Sequence, residues 1–186
     1  MQLNLSAFLE RSKANGPGER SVVWVQGCPI HCTGCFNPAT WTFAPHMLVE
    51  VRELAERILA VKGIEGVTFS GGEPFAQAAA LAELGTIIAA EGLSIVTFTG
   101  YTLAELEKGV QPDCKQLLAV CDLLVAGRFI AEQRCNLPLR GSANQQLIFL
   151  TEKLRNHPEL TLADGQLVEY IIDEAGNLVV TGFQEG

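Results

Sequence analysis

No stretch of about 18 uncharged apolar residues occurs in the chain, so no helix in it is expected to span a membrane. The opening residues, MQLNLSAFLERSK, lack a basic region followed by a long apolar run. No secretory signal is therefore expected, and a reducing, cytoplasmic compartment is. Basic residues are in deficit: 13 Lys and Arg stand against 21 Asp and Glu, a formal net charge of −8. A nucleic-acid backbone needs clustered Lys and Arg, so it is excluded as the main partner, and a small substrate or a protein is expected instead. Internal repeats and low-complexity tracts are absent, which leaves ordinary globular folds. Missing too is a second C-x₂-C pair to match Cys32 and Cys35, so the two-pair ligand pattern of structural zinc is not met.

What the chain does have is 186 residues, 48% of them hydrophobic and 18% charged. That is a globular balance with room for one substantial core and a small appendage. Ser21–Gln26 (SVVWVQ) reads as a buried strand. Leu48–Val61 reads as a helix with Leu48, Val51, Ala55 and Ile58 on one stripe. Gly66–Ser70, Leu93–Thr99, Asp122–Ala126 and Gln146–Leu150 read as further strands. Between them lie a helix over Pro74–Ala90, a helix opened by the capping box Thr102–Glu105, and a turn over Lys115–Val120.

Strands alternating with helices predict βαβ units and an α/β fold with about five or six parallel strands. That number is too small for a closed eight-stranded barrel, so an open partial (β/α) barrel is expected over residues 1–150. Residues 151–186 read as a linker followed by a β-hairpin, Gln166–Asp173 and Leu178–Gly182 joined by EAGN, which would cover a sheet edge or bind a partner. Ligands of parallel α/β folds sit at the carboxyl ends of the strands. The stretches GCPIHCTGC, SGGEP, TGYT, AGRF and RGSANQ should then meet on one rim.

Three of the six cysteines, Cys28, Cys32 and Cys35, fall within eight residues as C-x₃-C-x₂-C. Thiolates bind zinc and iron–sulfur clusters. His31 or His46 could complete a zinc site. Three thiolates on a four-iron cluster instead leave one iron open for chemistry. Cys114, Cys121 and Cys135 follow no ligand spacing and read as buried free thiols.

C-x₃-C-x₂-C after one strand and GGEP after the next resemble the radical S-adenosylmethionine (SAM) superfamily. Asn15–Arg20 (NGPGER), Gly27–Trp41, Ser70–Pro74, Thr99–Tyr101, Leu123–Phe129 and Arg140–Gln145 narrow the resemblance to activating proteins of glycyl-radical enzymes, of the anaerobic ribonucleoside-triphosphate reductase type. The resemblance implies a partial barrel of the radical SAM type. It implies a 4Fe–4S cluster held by Cys28, Cys32 and Cys35, which reductively cleaves SAM to a 5′-deoxyadenosyl radical. That radical would abstract hydrogen from a glycine of a partner enzyme, with flavodoxin or ferredoxin as electron donor. Gly34 and Phe36 would touch the adenine, and Asn37 would face the cofactor. Gly71 and Gly72 would approach the methionyl amine, with Glu73 as its carboxylate.

Thr97 and Thr99 would meet the ribose, or be satisfied strand hydroxyls. Arg128 and Arg140 would bind the SAM carboxylate, or serve in ion pairs. Asn15 would support the partner's glycyl loop, or simply make a turn. The chain departs from the reductase activators at Ala126-Gly127-Arg128, where they read Asp-Gly-[Lys/Arg], and by its tail after Leu150. Two other functions compete. One is a radical SAM enzyme of 7-carboxy-7-deazaguanine synthase type acting on a small molecule. The other is a 4Fe–4S electron-transfer or sensor protein.

Overall fold

In the computed structural model, which describes residues 1–161, 165–172, 176 and 178–182, the chain begins with a strand. β1 (Gln2–Ser12) pairs antiparallel with β2 (Arg20–Val25) and, along its other edge, with β3 (Met47–Glu50). Sequence periodicity gives no sign of β1, because its burial does not alternate cleanly and its register with β2 shifts twice. α1 (Val51–Ala60) follows β3 directly. The expected helix over Leu48–Val61 thus loses its first turn. The free edge of β1 takes residues 47–50 as a strand, with Val49 inward and Leu48 55% exposed. Leu54 takes the stripe position assigned to Leu48.

β4 (Gly66–Gly71) then lies parallel to β2. Pro74–Gln77 forms a 3-10 turn before α2 (Ala78–Ala90), so the helix expected from Pro74 starts one turn later. β5 (Ser94–Thr99), α3 (Leu103–Glu107), α4 (Cys114–Leu118) and β6 (Leu123–Ala126) complete the parallel part. Thr102 caps α3 in the expected box with Glu105.

β7 (Arg134–Leu137) and β8 (Arg140–Ser142) form a small antiparallel hairpin, after which β9 (Gln146–Phe149) pairs with β6. The described residues thus form a seven-stranded sheet in the order β3-β1-β2-β4-β5-β6-β9. Its parallel centre has four strands, β2, β4, β5 and β6, where five or six are expected. The strand predicted at 146–150 exists, but it returns antiparallel because residues 127–145 contain no crossover helix.

The two faces of the sheet differ. Val23, Val25, Val67, Phe69, Ile95 and Leu124 pack beneath α1, α2 and α4. α2 is apolar almost all round because it is wedged between α1, α4 and the sheet. Val96, Leu123 and Val125, on the opposite side of their strands, pack on Leu139 and Leu154. Arg20 is fully buried at the start of β2. It donates to Pro17 O (2.6 Å) and to Ser94 O and Oγ (3.3 and 3.0 Å), binding the NGPGER turn to β5. Burial lowers its pKa to about 10.

β10 (Val168–Ile172) and β11 (Leu178–Gly182) form the expected C-terminal hairpin. Apart from Gly176, the connecting EAGN lies outside the described residues, as does Asp173. Among the described residues the hairpin is a separate two-stranded sheet and pairs with no strand of the central one. It therefore does not cover a sheet edge by pairing. Side chains hold it to the end of β1: Ser12 Oγ donates to Glu169 Oε2 (2.6 Å), and Asn15 Nδ2 donates to Thr181 Oγ1 (2.8 Å). No helix among the described residues is long and apolar enough to cross a membrane.

Candidate functional site

The cysteine loop leaves the end of β2 and is pinned by the segment that returns along it. Gly27 N donates to Thr40 O (2.8 Å) and Cys28 N to Trp41 O (3.1 Å). Gln26 is buried, and its Nε2 donates to Ala39 O and Thr42 O (3.1 and 3.0 Å). Inside the loop, Cys35 N donates to Cys32 O (3.1 Å) and Asn37 N to Cys35 Sγ (3.4 Å). An amide aimed at a cysteine sulfur is the kind of outer contact that tunes thiolate ligands. Cys28 is buried, Cys32 and Cys35 are half-buried, and all three thiols are free. Burial raises the pKa of Cys28.

Neither histidine joins them. His31 is exposed and stacks on Trp41 at 4.7 Å, and His46 Nδ1 lies 3.1 Å from Leu5 O. Among the described residues, no three His, Cys, Asp or Glu side chains gather closely enough to hold one metal ion. The thiols border a common space without converging on a point. Three thiols bordering one space match the donor chemistry of an iron–sulfur cluster.

The end of β4 packs directly against this loop. Gly72 N donates to Val25 O (2.8 Å) and Glu73 N to Gly27 O (2.9 Å). A Cβ on Gly72 would collide with Gly27 O, and Gly71 combines φ +101° with backbone contact to Val25. Only glycine tolerates both constraints here. Glu73 is 1% exposed. Its Oε1 accepts from Phe75 N (3.0 Å) and Thr99 Oγ1 (2.9 Å), and its Oε2 accepts from Gly100 N (2.8 Å). Desolvation pushes its pKa up to about 7, against the pull of those three donors and the field of Arg128. The carboxyl group joins the end of β4 to the end of β5.

These parts border one cavity of about 410 Å³. Cys28, Cys32, Cys35, Phe36 and Asn37 line it from the loop, and Gly71, Gly72, Glu73 and Thr99 from the strand ends. Asn15 lines it from the NGPG turn. Four other expected residues lie elsewhere. Gly34 sits outside the lining, exposed, with φ +74°. Thr97 is fully buried with its Oγ1 3.0 Å from Cys121 Sγ, because it lies one strand repeat deeper than Thr99 on the helix-covered face. Arg128 is turned outward. Its guanidinium donates to both carboxylate oxygens of Glu105 at 3.2–3.3 Å and lies 5.9 Å from the Tyr101 ring. Arg140 is half-buried on β8, outside the lining, and its Nε lacks a hydrogen-bond partner.

Cys114 and Cys121 are buried in the helix-side core, with Cys121 pushed up to about 12 by desolvation. Cys135 is only half-buried, with its Sγ 3.6 Å from Arg140 O.

Motif reading misses much of the cavity wall. Trp24 and Phe98 face the cavity from β2 and β5. Strand alternation carries that signal, since their neighbours Val25 and Thr97 face the helices. Phe129 lines the cavity and packs on Phe36 with ring centroids 4.9 Å apart. The fourth wall is β11, where Val179, Val180, Thr181 and Gly182 all border the cavity.

Residues 14–148 match the family described as a 4Fe-4S single cluster domain. The chain is 36% identical over 154 residues to the anaerobic ribonucleoside-triphosphate reductase-activating protein of Vibrio cholerae, covering 77% of this chain and 96% of that protein. It is 29% identical over 159 residues to the protein of the same name from Pasteurella multocida, covering 81% and 99%. It is 28% identical over 174 residues to the pyruvate formate-lyase-activating enzyme of Staphylococcus aureus, covering 90% and 69%.

Proposed function

Since this chain belongs to the 4Fe-4S single cluster domain family and to the anaerobic ribonucleoside-triphosphate reductase-activating proteins within it, we propose that it installs the glycyl radical of an anaerobic ribonucleotide reductase. The observation that carries this reading is one cavity bordered by three free thiols of a C-x₃-C-x₂-C loop and by the glycine-rich end of the adjacent parallel strand. The central sheet is read as the open partial barrel of the radical SAM type, with residues 151–186 as an extension.

The 4Fe–4S cluster and SAM, when bound, supply one-electron reductive cleavage of the sulfonium and hence a carbon radical that takes a hydrogen atom. The chain's own residues arrange that chemistry. Cys28, Cys32 and Cys35 would hold the cluster through three thiolates. Gly71 and Gly72, packed against Val25 and Gly27, would border the methionyl part with backbone. Glu73, almost fully buried, would give its ammonium an acceptor, and Thr99 positions Glu73 through its 2.9 Å hydrogen bond. Phe36 and Asn37 would flank the cofactor from the loop, and Phe129 packs on Phe36. Trp24, Phe98 and Leu139 make the remaining wall apolar, which excludes water and stray hydrogen donors. The structure favours Thr97 and Arg128 as structural residues, because their polar groups are already engaged. A flavodoxin or ferredoxin would supply the electron.

The test is anaerobic reconstitution with iron and sulfide, then dithionite and SAM, with 5′-deoxyadenosine quantified. Wild type should form it, and the Cys28→Ala/Cys32→Ala/Cys35→Ala variant should lose both the cluster absorbance and the product. Addition of an anaerobic ribonucleotide reductase should yield a glycyl radical signal. A loaded cluster without deoxyadenosine would remove the activase reading in favour of electron transfer or sensing.

A further inference from the structure

We propose that β11 is the docking strand for the protein substrate: an extended, glycine-bearing segment of the partner enzyme adds to its open edge inside the cavity. The inference rests on the activase reading above and adds to it the surface that receives the polypeptide.

Side chains of a strand alternate between its two faces. Yet four consecutive residues, Val179 to Gly182, border the cavity that also holds Cys28, Cys32 and Cys35. Consecutive residues share one space when the strand presents its edge to it. Among the described residues, β11 is paired only on its β10 side. Among the described residues, no backbone hydrogen bond joins 178–182 to any element other than β10. The edge is therefore a row of amide and carbonyl groups facing a cavity. A small molecule satisfies one or two such groups, whereas an extended backbone satisfies them periodically over the whole strand.

The hairpin is also held firmly enough to serve as a template. Asn15 Nδ2 bridges Ser12 Oγ and Thr181 Oγ1, both at 2.8 Å, and Glu169 accepts from Ser12 Oγ and from Lys13 N. Thr181 itself is 8% exposed. The two ends of the latch are thus fixed to β1 and to the NGPG turn, and the open edge does not depend on them. Away from the latch the hairpin exposes Tyr170 (69%), Ile172 (73%) and Leu178 (59%). These form an apolar surface continuous with β11, on which flanking side chains of a bound segment can rest. The occupant is a polypeptide with a glycine at its reacting position, because a residue without a side chain can lie flat between β11 and the cysteine rim. The match to the shared family ends at residue 148, so the hairpin lies outside the shared cluster-binding part.

The test uses the full chain, reconstituted and loaded with SAM, mixed with an intact anaerobic ribonucleotide reductase. Hydrogen–deuterium exchange is read at residues 178–182, and glycyl radical formation is followed in the same sample. Exchange there should slow by about tenfold or more on mixing. Synthetic peptides spanning the target glycine, each N-methylated at one position, should lose binding at every second residue, as strand addition requires. Radical formation with unchanged exchange at 178–182 would overturn the inference while leaving the activase reading intact. Slower exchange with no period-two pattern would replace strand addition by a side-chain contact and overturn it too. Absence of deoxyadenosine from the full chain without any partner would remove the activase reading, and the inference with it.

Discussion

At the rim of the cavity, the cysteine loop and the end of β4 hold one another through main-chain groups: Gly27 to Thr40, Cys28 to Trp41, Gly72 to Val25, Glu73 to Gly27. At the opposite wall, β11 is held through the side chains of Ser12, Asn15, Glu169 and Thr181. Backbone contact leaves no room for side chains, so the rim is written in glycines and is intolerant of substitution. Side-chain contact leaves the strand's own backbone available, so the wall keeps a free edge. A cluster site needs fixed geometry at its ligands, whereas a surface for a polypeptide needs unpaired backbone groups. Under the proposed function the two regions would meet those two requirements.

Substitutions can break this contrast at graded strength. The largest effect is expected at the rim. Gly72→Val drives a side chain into Gly27 O and Thr40 O, and should cost about 3 kcal/mol or more and prevent cluster loading. Thermal unfolding and cluster absorbance of the variant measure both losses.

Glu73→Gln comes next and has a pH signature. The Glu73 carboxyl group has its pKa raised to about 7, so between about 4.5 and 7 the folded chain binds more protons than the unfolded one. Its contribution to stability is fully present below the lower value and is lost as pH rises through the upper. The cluster-free wild type should decline across that window by about 3 kcal/mol relative to Glu73→Gln, as read from melting temperature against pH.

At the wall, Thr181→Val removes the acceptor of Asn15 while keeping the shape of the side chain. It should cost about 1 kcal/mol, seen as faster exchange of the hairpin amides while the rim stays unchanged. The smallest effect is expected outside both regions. The carboxylate of Glu105, held down to about 2 by the Thr102 backbone amide and by Arg128, stabilises the chain above its ordinary range, and this is lost as pH falls through about 2. After allowance for solvent screening, Glu105→Gln should cost about 0.5 kcal/mol at neutral pH and leave deoxyadenosine formation as it was.

The rim was legible in the chain because its elements are short and local. Strand–loop–cysteine and strand–GGE are each contiguous, and a parallel sheet brings the ends of neighbouring strands together. β1 and β9 were harder. β1 carries no clean period, and the direction of β9 depends on the route of residues 127–145, which no local pattern encodes. Arg128 looked like an anion ligand in its motif. Tertiary placement instead put Glu105 of α3 within 3.2 Å of it.

The amino-acid sequence alone determined the cysteine loop, the glycine-rich strand end and the capping box of α3, since each rests on residues within a few positions of one another. Only the tertiary structure decided that Thr97 faces Cys121, that Glu73 braces two strand ends, and that a hairpin from the far end of the chain becomes a cavity wall. Those outcomes depend on contacts between residues 24 to 166 positions apart. Closure of such long loops is governed by the packing of the whole sheet, and no local propensity carries it.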